Sequence, residues 1–145
     1  MALQDWQRSG WLDQHQTSPQ EIGDLLVVVD RDLGDATTAG LSADWRFNIA
    51  YNAALQAATA ALAAVGYRAS RESHHYRVIQ SRQFTIGADP SLIARFDQFR
   101  KKRNIGGYER AGSVSEQETR EVLDFARELK ENVTQWLQEN HPHLL

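Results

Sequence analysis

Four consecutive basic residues, Arg100, Lys101, Lys102 and Arg103, form the strongest charge cluster of this 145-residue chain. The chain as a whole has a formal net charge of -3, so it attracts phosphate groups only where such a cluster concentrates positive charge. Basic side chains also gather near the C-terminal ends of helices, where they complement the partial negative charge of the helix. The cluster therefore predicts either an anion-binding surface or an ordinary helix end.

Arg103 differs from its neighbours because it continues an apolar register. Leu92, Phe96 and Phe99 recur at the spacing of one helical face, and the same face reaches Arg103 four residues further on. A guanidinium in that position lies at the buried face or at its edge, and it needs a carboxylate, a helix carbonyl or a bound phosphate as partner. Arg103 is therefore the centre of the candidate site.

The residues that follow Arg103 suggest a second polar group beside it. Gly106 and Gly107 predict the end of the helix and a sharp turn that brings Tyr108 back near Arg103, while Asn104 can hydrogen-bond the backbone at the helix end. Tyr108 then either packs as an aromatic side chain or forms a phosphate-binding pair with Arg103. Because a tyrosine with an ordinary pKa near 10 is a poor general base, the pair favours binding over catalysis.

Two histidines and a further arginine are secondary candidates. His74 and His75 lie about 100° apart around a helix axis, so at most one faces a given cleft, and the alternative is that one packs and one is solvated. They lack the i, i+4 spacing that places two imidazoles on one helical face for a metal ion, and no metal or cofactor is expected. Arg46 is either a surface side chain or a pocket residue, if its helix packs beside Arg103.

Helices must position these residues, because helix start signals recur along the chain. Ser18 and Ser115 each precede a glutamate by three residues, as in a capping box, and Ser42 can cap a third helix. Together with the apolar spacing, these signals predict helices from Ser18 to about Leu33, Ser42 to about Val65, Ser73 to about Thr85, Asp89 to Gly106 and Ser115 to Pro142, and a peripheral one within 1–17, from Leu3 to His15.

The helix that begins near Ser42 contains a dense series of alanines between positions 50 and 64. Small side chains let neighbouring helix backbones approach closely, so this helix is expected at the centre of a bundle rather than on its surface. No segment shows sustained alternation of apolar and polar residues. The sequence therefore predicts an all-α fold, an antiparallel bundle of about five or six helices in a single domain over residues 1–145.

The composition excludes several classes of protein. With 41% hydrophobic residues the chain can bury one continuous core, and with no cysteine it has neither disulfides nor a thiolate nucleophile. The residues after Met1 lack the pattern of an export signal, and no apolar run approaches the roughly 20 residues of a membrane span. A cytoplasmic protein with no membrane segment is the expectation.

Three segments together resemble the HEPN domain family: Arg46-Phe-Asn-Ile-Ala-Tyr51, Ser73-His-His-Tyr76 and Arg103-Asn-Ile-Gly-Gly-Tyr108. The resemblance spans about residues 42–137. It implies a helical bundle that forms a homodimer and, in many members, a metal-independent ribonuclease whose motif is an arginine, four to six residues and a histidine. Many members are toxins paired with a minimal nucleotidyltransferase antitoxin.

The resemblance makes Arg103 the motif arginine and Asn104 the polar residue that often follows it, whereas Tyr108 stands where catalytic members have histidine. In those members the histidine assists attack by the ribose 2′-hydroxyl and the arginine stabilises charge on phosphorus. The histidine pair, His75 above all, resembles one found near this place in some relatives.

Two functions remain open from the sequence. The first is an RNA- or nucleotide-binding protein, a ribonuclease toxin or a degenerate ribonuclease, in which Arg103 and Tyr108 act on RNA. The second is a noncatalytic interaction module that recruits a nucleotidyltransferase or another protein. For the first, the binding residues would be Arg46, His75, Arg100, Lys101, Lys102, Arg103, Asn104 and Tyr108.

Overall fold

The computed structural model describes residues 3–70, 74–82, 85–87, 89–108 and 114–145, except for the side chains at positions 74 and 104–108. Within these residues six helices pack together with one two-stranded sheet, which confirms the predicted all-α class. The elements are α1 (Leu3–Arg8), β1 (Leu12–Gln14), α2 (Pro19–Asp35), α3 (Ala43–Ala64), β2 (Tyr67–Ala69), α4 (His74–Ser81), α5 (Pro90–Tyr108) and α6 (Glu116–Asn140), followed by a 3-10 turn at Pro142–Leu144.

The predicted helix caps are confirmed. The hydroxyl oxygens of Ser18, Ser42 and Ser115 each accept a hydrogen bond from the backbone N–H three residues later. At Ser115 the box is complete, because the Glu118 carboxylate also accepts from the Ser115 N–H at 3.0 Å. Asp89 caps α5 in the same way through the Leu92 N–H. Local side-chain chemistry thus sets where these four helices begin.

Helix α3 is the centre of the bundle, as the alanine series predicts. It packs against α2 and α6 along its length and also contacts α4 and α5. Eight of its ten alanines are buried, and the small side chains allow the neighbouring helices to approach closely. The aromatic rings of Phe47, Phe96, Phe99 and Phe125 fill the space between α3, α5 and α6 through edge-to-face contacts.

The prediction of one helix from Leu3 to His15 was wrong, because the helix is shorter and a strand follows it. Helix α1 ends at Arg8, and β1 pairs antiparallel with β2 in the register Leu12 with Ala69 and Gln14 with Tyr67. Trp6 is buried, as an indole that docks the segment should be. Three-residue strands are too short to show an alternating pattern, so the sequence did not reveal them.

Two helix ends also differ from the prediction. Helix α4 ends at Ser81 rather than near Thr85. Helix α5 continues through Gly106 and Gly107 to Tyr108, so the sharp turn expected at the two glycines is absent from this part of the chain. Glycine lowers helix propensity by about 1 kcal/mol relative to alanine but does not forbid a helix.

Candidate functional site

The basic cluster of α5 is largely neutralised by carboxylates. Arg100 Nε lies 2.7 Å from Asp97 Oδ1, and Lys101 Nζ lies 3.5 Å from Asp97 Oδ2. Lys102 Nζ reaches across to α6, 3.2 Å from Glu118 Oε2. These three residues therefore have ion-pair partners within the protein, and any phosphate must compete with those carboxylates.

Arg103 is different, because among the described residues it has no carboxylate partner. Its side chain is half-buried, and its guanidinium carbon lies 5.7 Å from the centre of the Tyr51 ring. A cation over an aromatic face gains about 0.5 to 2 kcal/mol, but the ring does not use up the hydrogen-bond donors of the guanidinium. The predicted position of Arg103 at the edge of the buried face is confirmed, and no described residue accepts a hydrogen bond from its guanidinium.

Tyr51 connects Arg103 to a histidine. Tyr51 is only 1% exposed, and its hydroxyl lies 3.2 Å from Nδ1 of His75 on α4, within hydrogen-bonding distance. The ring of Tyr51 also packs edge-on against Phe96. We call Tyr51, His75 and Arg103 the Tyr51 cluster, in which α3, α4 and α5 each supply one residue.

Burial raises the pKa of Tyr51 well above its usual value, although the nearby Arg103 and Arg100 guanidinium groups oppose the shift. Tyr51 is therefore a neutral phenol at physiological pH. Its hydroxyl can donate to Nδ1 of a neutral His75, or accept from Nδ1 when that atom carries the proton. In the second arrangement Nε2 of His75 keeps the lone pair that a general base requires.

Arg100 extends the cluster toward α4, because its guanidinium carbon lies 5.5 Å from the centre of the Tyr76 ring. Tyr76 thus contacts the basic cluster directly, whereas His75 is connected to it through Tyr51. Of the predicted binding residues, the structure brings Arg100, Arg103 and His75 to one place.

Arg46 lies in a different environment. Its guanidinium hydrogen-bonds Glu116 at the start of α6, and its Nε donates to the Leu41 carbonyl at 3.1 Å. Glu118, two residues further along the chain, pairs with Lys102. Arg46 therefore contributes to the junction of α3 with α6, and no described contact joins it to Arg103.

The predictions for Asn104, Tyr108 and His74 concern side chains outside the described residues. The backbone of α5 nevertheless corrects one of them, since the helix runs on to Tyr108 and the expected turn toward Arg103 does not occur there. The same extension weakens the helix-end explanation of the basic cluster. Residues 100–103 lie more than one turn before the last residue of α5, whereas the attraction of cations to a helix C-terminus falls off within the last turn.

Sequence reasoning missed three residues that shape this site. Asp97 lies three and four residues before Arg100 and Lys101, and this spacing on one helix could have revealed both ion pairs. Tyr51 and Tyr76 belong to motifs that carry the family resemblance, but no local signal in the sequence shows that their rings would meet arginines of α5.

The described residues do not form a metal centre. In this part of the chain no three His, Asp or Glu side chains gather closely enough to hold a metal ion. No helix there combines the length and apolar character of a membrane span. The groups that the Tyr51 cluster does contain, a guanidinium and an imidazole, suit oxyanion binding by Arg103 and proton transfer by His75.

No protein-family model and no curated protein matches the chain.

Proposed function

We propose that this chain is a HEPN-like protein that binds RNA or a nucleotide, with a phosphate group held at the Tyr51 cluster. The observation that carries the proposal is Arg103, a half-buried arginine without a carboxylate partner among the described residues, whose guanidinium lies against Tyr51. Guanidinium groups with free donors suit phosphate because they form two parallel charge-assisted hydrogen bonds. Arg100 and Lys101 are two further cations close to Arg103 in sequence. They pair with Asp97, and these ion pairs do not involve the Arg103 guanidinium.

The proposal includes a homodimer whose two copies of α5 face each other across a groove. Two arginines that face each other across a two-fold axis repel unless an anion lies between them. The half-buried position of Arg103 supports this arrangement, because a second subunit would enclose a bound phosphate further.

His75 gives the same cluster a route to residual ribonuclease activity. Cleavage without a metal needs an imidazole to move the proton of the 2′-hydroxyl and a cation to stabilise charge on phosphorus. His75 and Arg103 are residues of those two types, joined through Tyr51. The corresponding biological setting is a toxin–antitoxin or stress-defence system with a minimal nucleotidyltransferase as partner.

The test is the binding of fluorescently labelled single-stranded RNA and of mononucleotides to the purified protein at low salt. Arg103→Ala removes a charge-assisted hydrogen-bond donor worth about 1.5 to 3 kcal/mol, so its affinity for RNA should fall roughly tenfold to a hundredfold. Arg127→Ala is the matched control, because Arg127 is an exposed arginine of α6 that pairs with Asp124. The control should bind almost as tightly as the wild-type protein.

Two outcomes would contradict the proposal. One is a wild-type protein that binds neither RNA nor a nucleotide, and the other is equal loss of affinity in the Arg103 and Arg127 variants, which would indicate attraction by general charge. Absence of RNA binding together with a stable complex with a co-expressed nucleotidyltransferase would instead support the noncatalytic interaction module.

A further inference from the structure

Arg82 directly follows the last residue of α4 and lies outside the Tyr51 cluster. Arg82 is only 2% exposed, and its Nε and Nη1 atoms are buried without a hydrogen-bond partner in the described part of the chain. Together these atoms carry three N–H groups. A buried donor that lacks an acceptor costs about 1 to 3 kcal/mol, and more when it is charged, so Arg82 is unusual for the interior of a small bundle.

Aromatic rings explain only part of this arrangement. The guanidinium carbon of Arg82 lies 5.3 Å from the centre of the Phe96 ring and 5.4 Å from that of Phe125. These contacts stabilise the positive charge, but ring faces are weak acceptors for N–H groups. Burial lowers the pKa of Arg82 to about 10, which still leaves the side chain charged at neutral pH. Nε and Nη1 of Arg82 thus lack a strong acceptor among the described residues.

A cavity of about 320 Å³ adjoins Arg82, between the start of α5 and the end of α6. Leu92 and Trp136 give it apolar surface, while Asp89 and Glu139 place two carboxylates in its lining. The volume falls within the range of small-molecule sites. A simple anion that approached Arg82 would meet repulsion from both carboxylates, whereas a molecule that also carries a positive charge would be attracted to them.

We propose that this cavity binds a small zwitterion with one carboxylate and one ammonium group, of the class of free amino acids with an apolar side chain. The carboxylate accepts hydrogen bonds from Arg82. The ammonium group lies near Asp89 and Glu139, whose carboxylates have oxygens to spare after their contacts with Ser91, Leu92 and Gln135. The apolar side chain contacts Trp136 and Leu92.

The test begins with the wild-type protein and the twenty standard amino acids as probes, measured by the shift in melting temperature and by the ¹H–¹⁵N signal of Arg82 Nε. A ligand that binds only the folded state raises its stability by RT ln(1 + [L]/Kd), so above Kd the melting temperature rises with the logarithm of the ligand concentration. We expect apolar amino acids to do so and to move the Arg82 signal. No shift with any of the twenty would overturn the proposal.

Three matched probes then measure how much the carboxylate and the ammonium group of the ligand each contribute to binding. Leucine has both groups, 4-methylpentanoate lacks the ammonium group and isoamylamine lacks the carboxylate. We expect each incomplete probe to bind at least about tenfold more weakly than leucine, because it leaves one charged partner in the cavity unpaired. Equal binding of inorganic phosphate and leucine would overturn the assignment of a zwitterion.

Variants locate the site. Arg82→Met keeps most of the side-chain volume and should abolish the effect of leucine on melting temperature. If that variant does not fold, Asn132→Trp provides the second measurement, since Asn132 is an exposed residue of α6 in the cavity lining. A tryptophan there should fill the cavity without touching the core, and leucine binding that persists in this folded variant would contradict the proposal.

Discussion

The Tyr51 hydroxyl and Nδ1 of His75 lie 3.2 Å apart, although 24 residues separate them in the sequence. Tyr51 belongs to the central helix α3, and His75 belongs to the short helix α4. Because Arg103 of α5 lies over the same tyrosine ring, this one contact fixes where an imidazole stands relative to the guanidinium. The candidate site thus depends on the packing of three helices around a buried phenol.

Removal of the Tyr51 hydroxyl should therefore cost stability. Tyr51→Phe keeps the ring against Phe96 but leaves Nδ1 of His75 without this partner, and a net hydrogen bond contributes about 0.5 to 1.5 kcal/mol. The free energy of unfolding, measured in urea, should fall by that amount. Tyr67→Phe is the control, since no described residue hydrogen-bonds the Tyr67 hydroxyl, and its unfolding free energy should stay within about 0.5 kcal/mol of wild type. Equal effects of both variants would mean that the contact with His75 is not stabilising.

A larger side chain in the alanine face of α3 should disturb the bundle. Ala57 is fully buried, so Ala57→Leu forces neighbouring helices apart and should destabilise the protein by about 1 to 3 kcal/mol. Gln56→Leu, at the adjacent half-buried position, should change stability by less than about 1 kcal/mol. Thermal or urea unfolding measures both. An Ala57→Leu protein as stable as wild type would show that α3 does not need small residues there.

Acid should remove the contribution of Glu118 to stability. The Ser115 N–H donates to its carboxylate and Lys102 pairs with it, and together they hold the pKa of Glu118 below its usual value of 4.5. The unfolded chain therefore binds the proton more readily than the folded one, so the stabilisation is present above pH 4.5 and is lost as the pH falls through the lower, folded pKa.

Glu118→Gln keeps a capping side chain but loses the charge, so it should be less stable than wild type near neutral pH and equal to it in acid. Urea unfolding at several pH values measures this difference. Glu131→Gln, which removes an exposed carboxylate of α6 that has no ion pair among the described residues, is the control and should stay within about 0.5 kcal/mol of wild type near neutral pH. A difference between Glu118→Gln and wild type that is constant with pH would contradict the assignment.

The helix starts could be predicted because each depends on a few neighbouring residues. Ser18, Ser42, Asp89 and Ser115 cap their helices through bonds to residues only three positions away. The central position of α3 was also predictable, because its many alanines allow several helices to pack closely against it. Local chemistry is visible in a sequence wherever the partner is close in the chain.

Long-range contacts were not visible in the same way. The pairing of Leu12 with Ala69 joins two three-residue strands, and the contact of Tyr51 with His75 joins two helices. Arg82 gave no sequence signal at all, because its burial follows from how α4 meets Phe96 and Phe125. Arg103 could be predicted in part. The apolar register placed it at the edge of the buried face of α5, but the sequence did not show that its guanidinium would contact Tyr51.

The most direct test of the Tyr51 cluster follows individual side chains by NMR while RNA is added. A dinucleotide with a 2′-deoxy sugar at the first position cannot be cleaved, so its binding can be titrated at equilibrium. We expect the ring signals of His75 and the Nε signal of Arg103 to shift with one common dissociation constant, while the indole signal of buried Trp6 stays unchanged. Binding that moves other signals and leaves His75 and Arg103 unaffected would contradict the assignment of the phosphate site to this cluster.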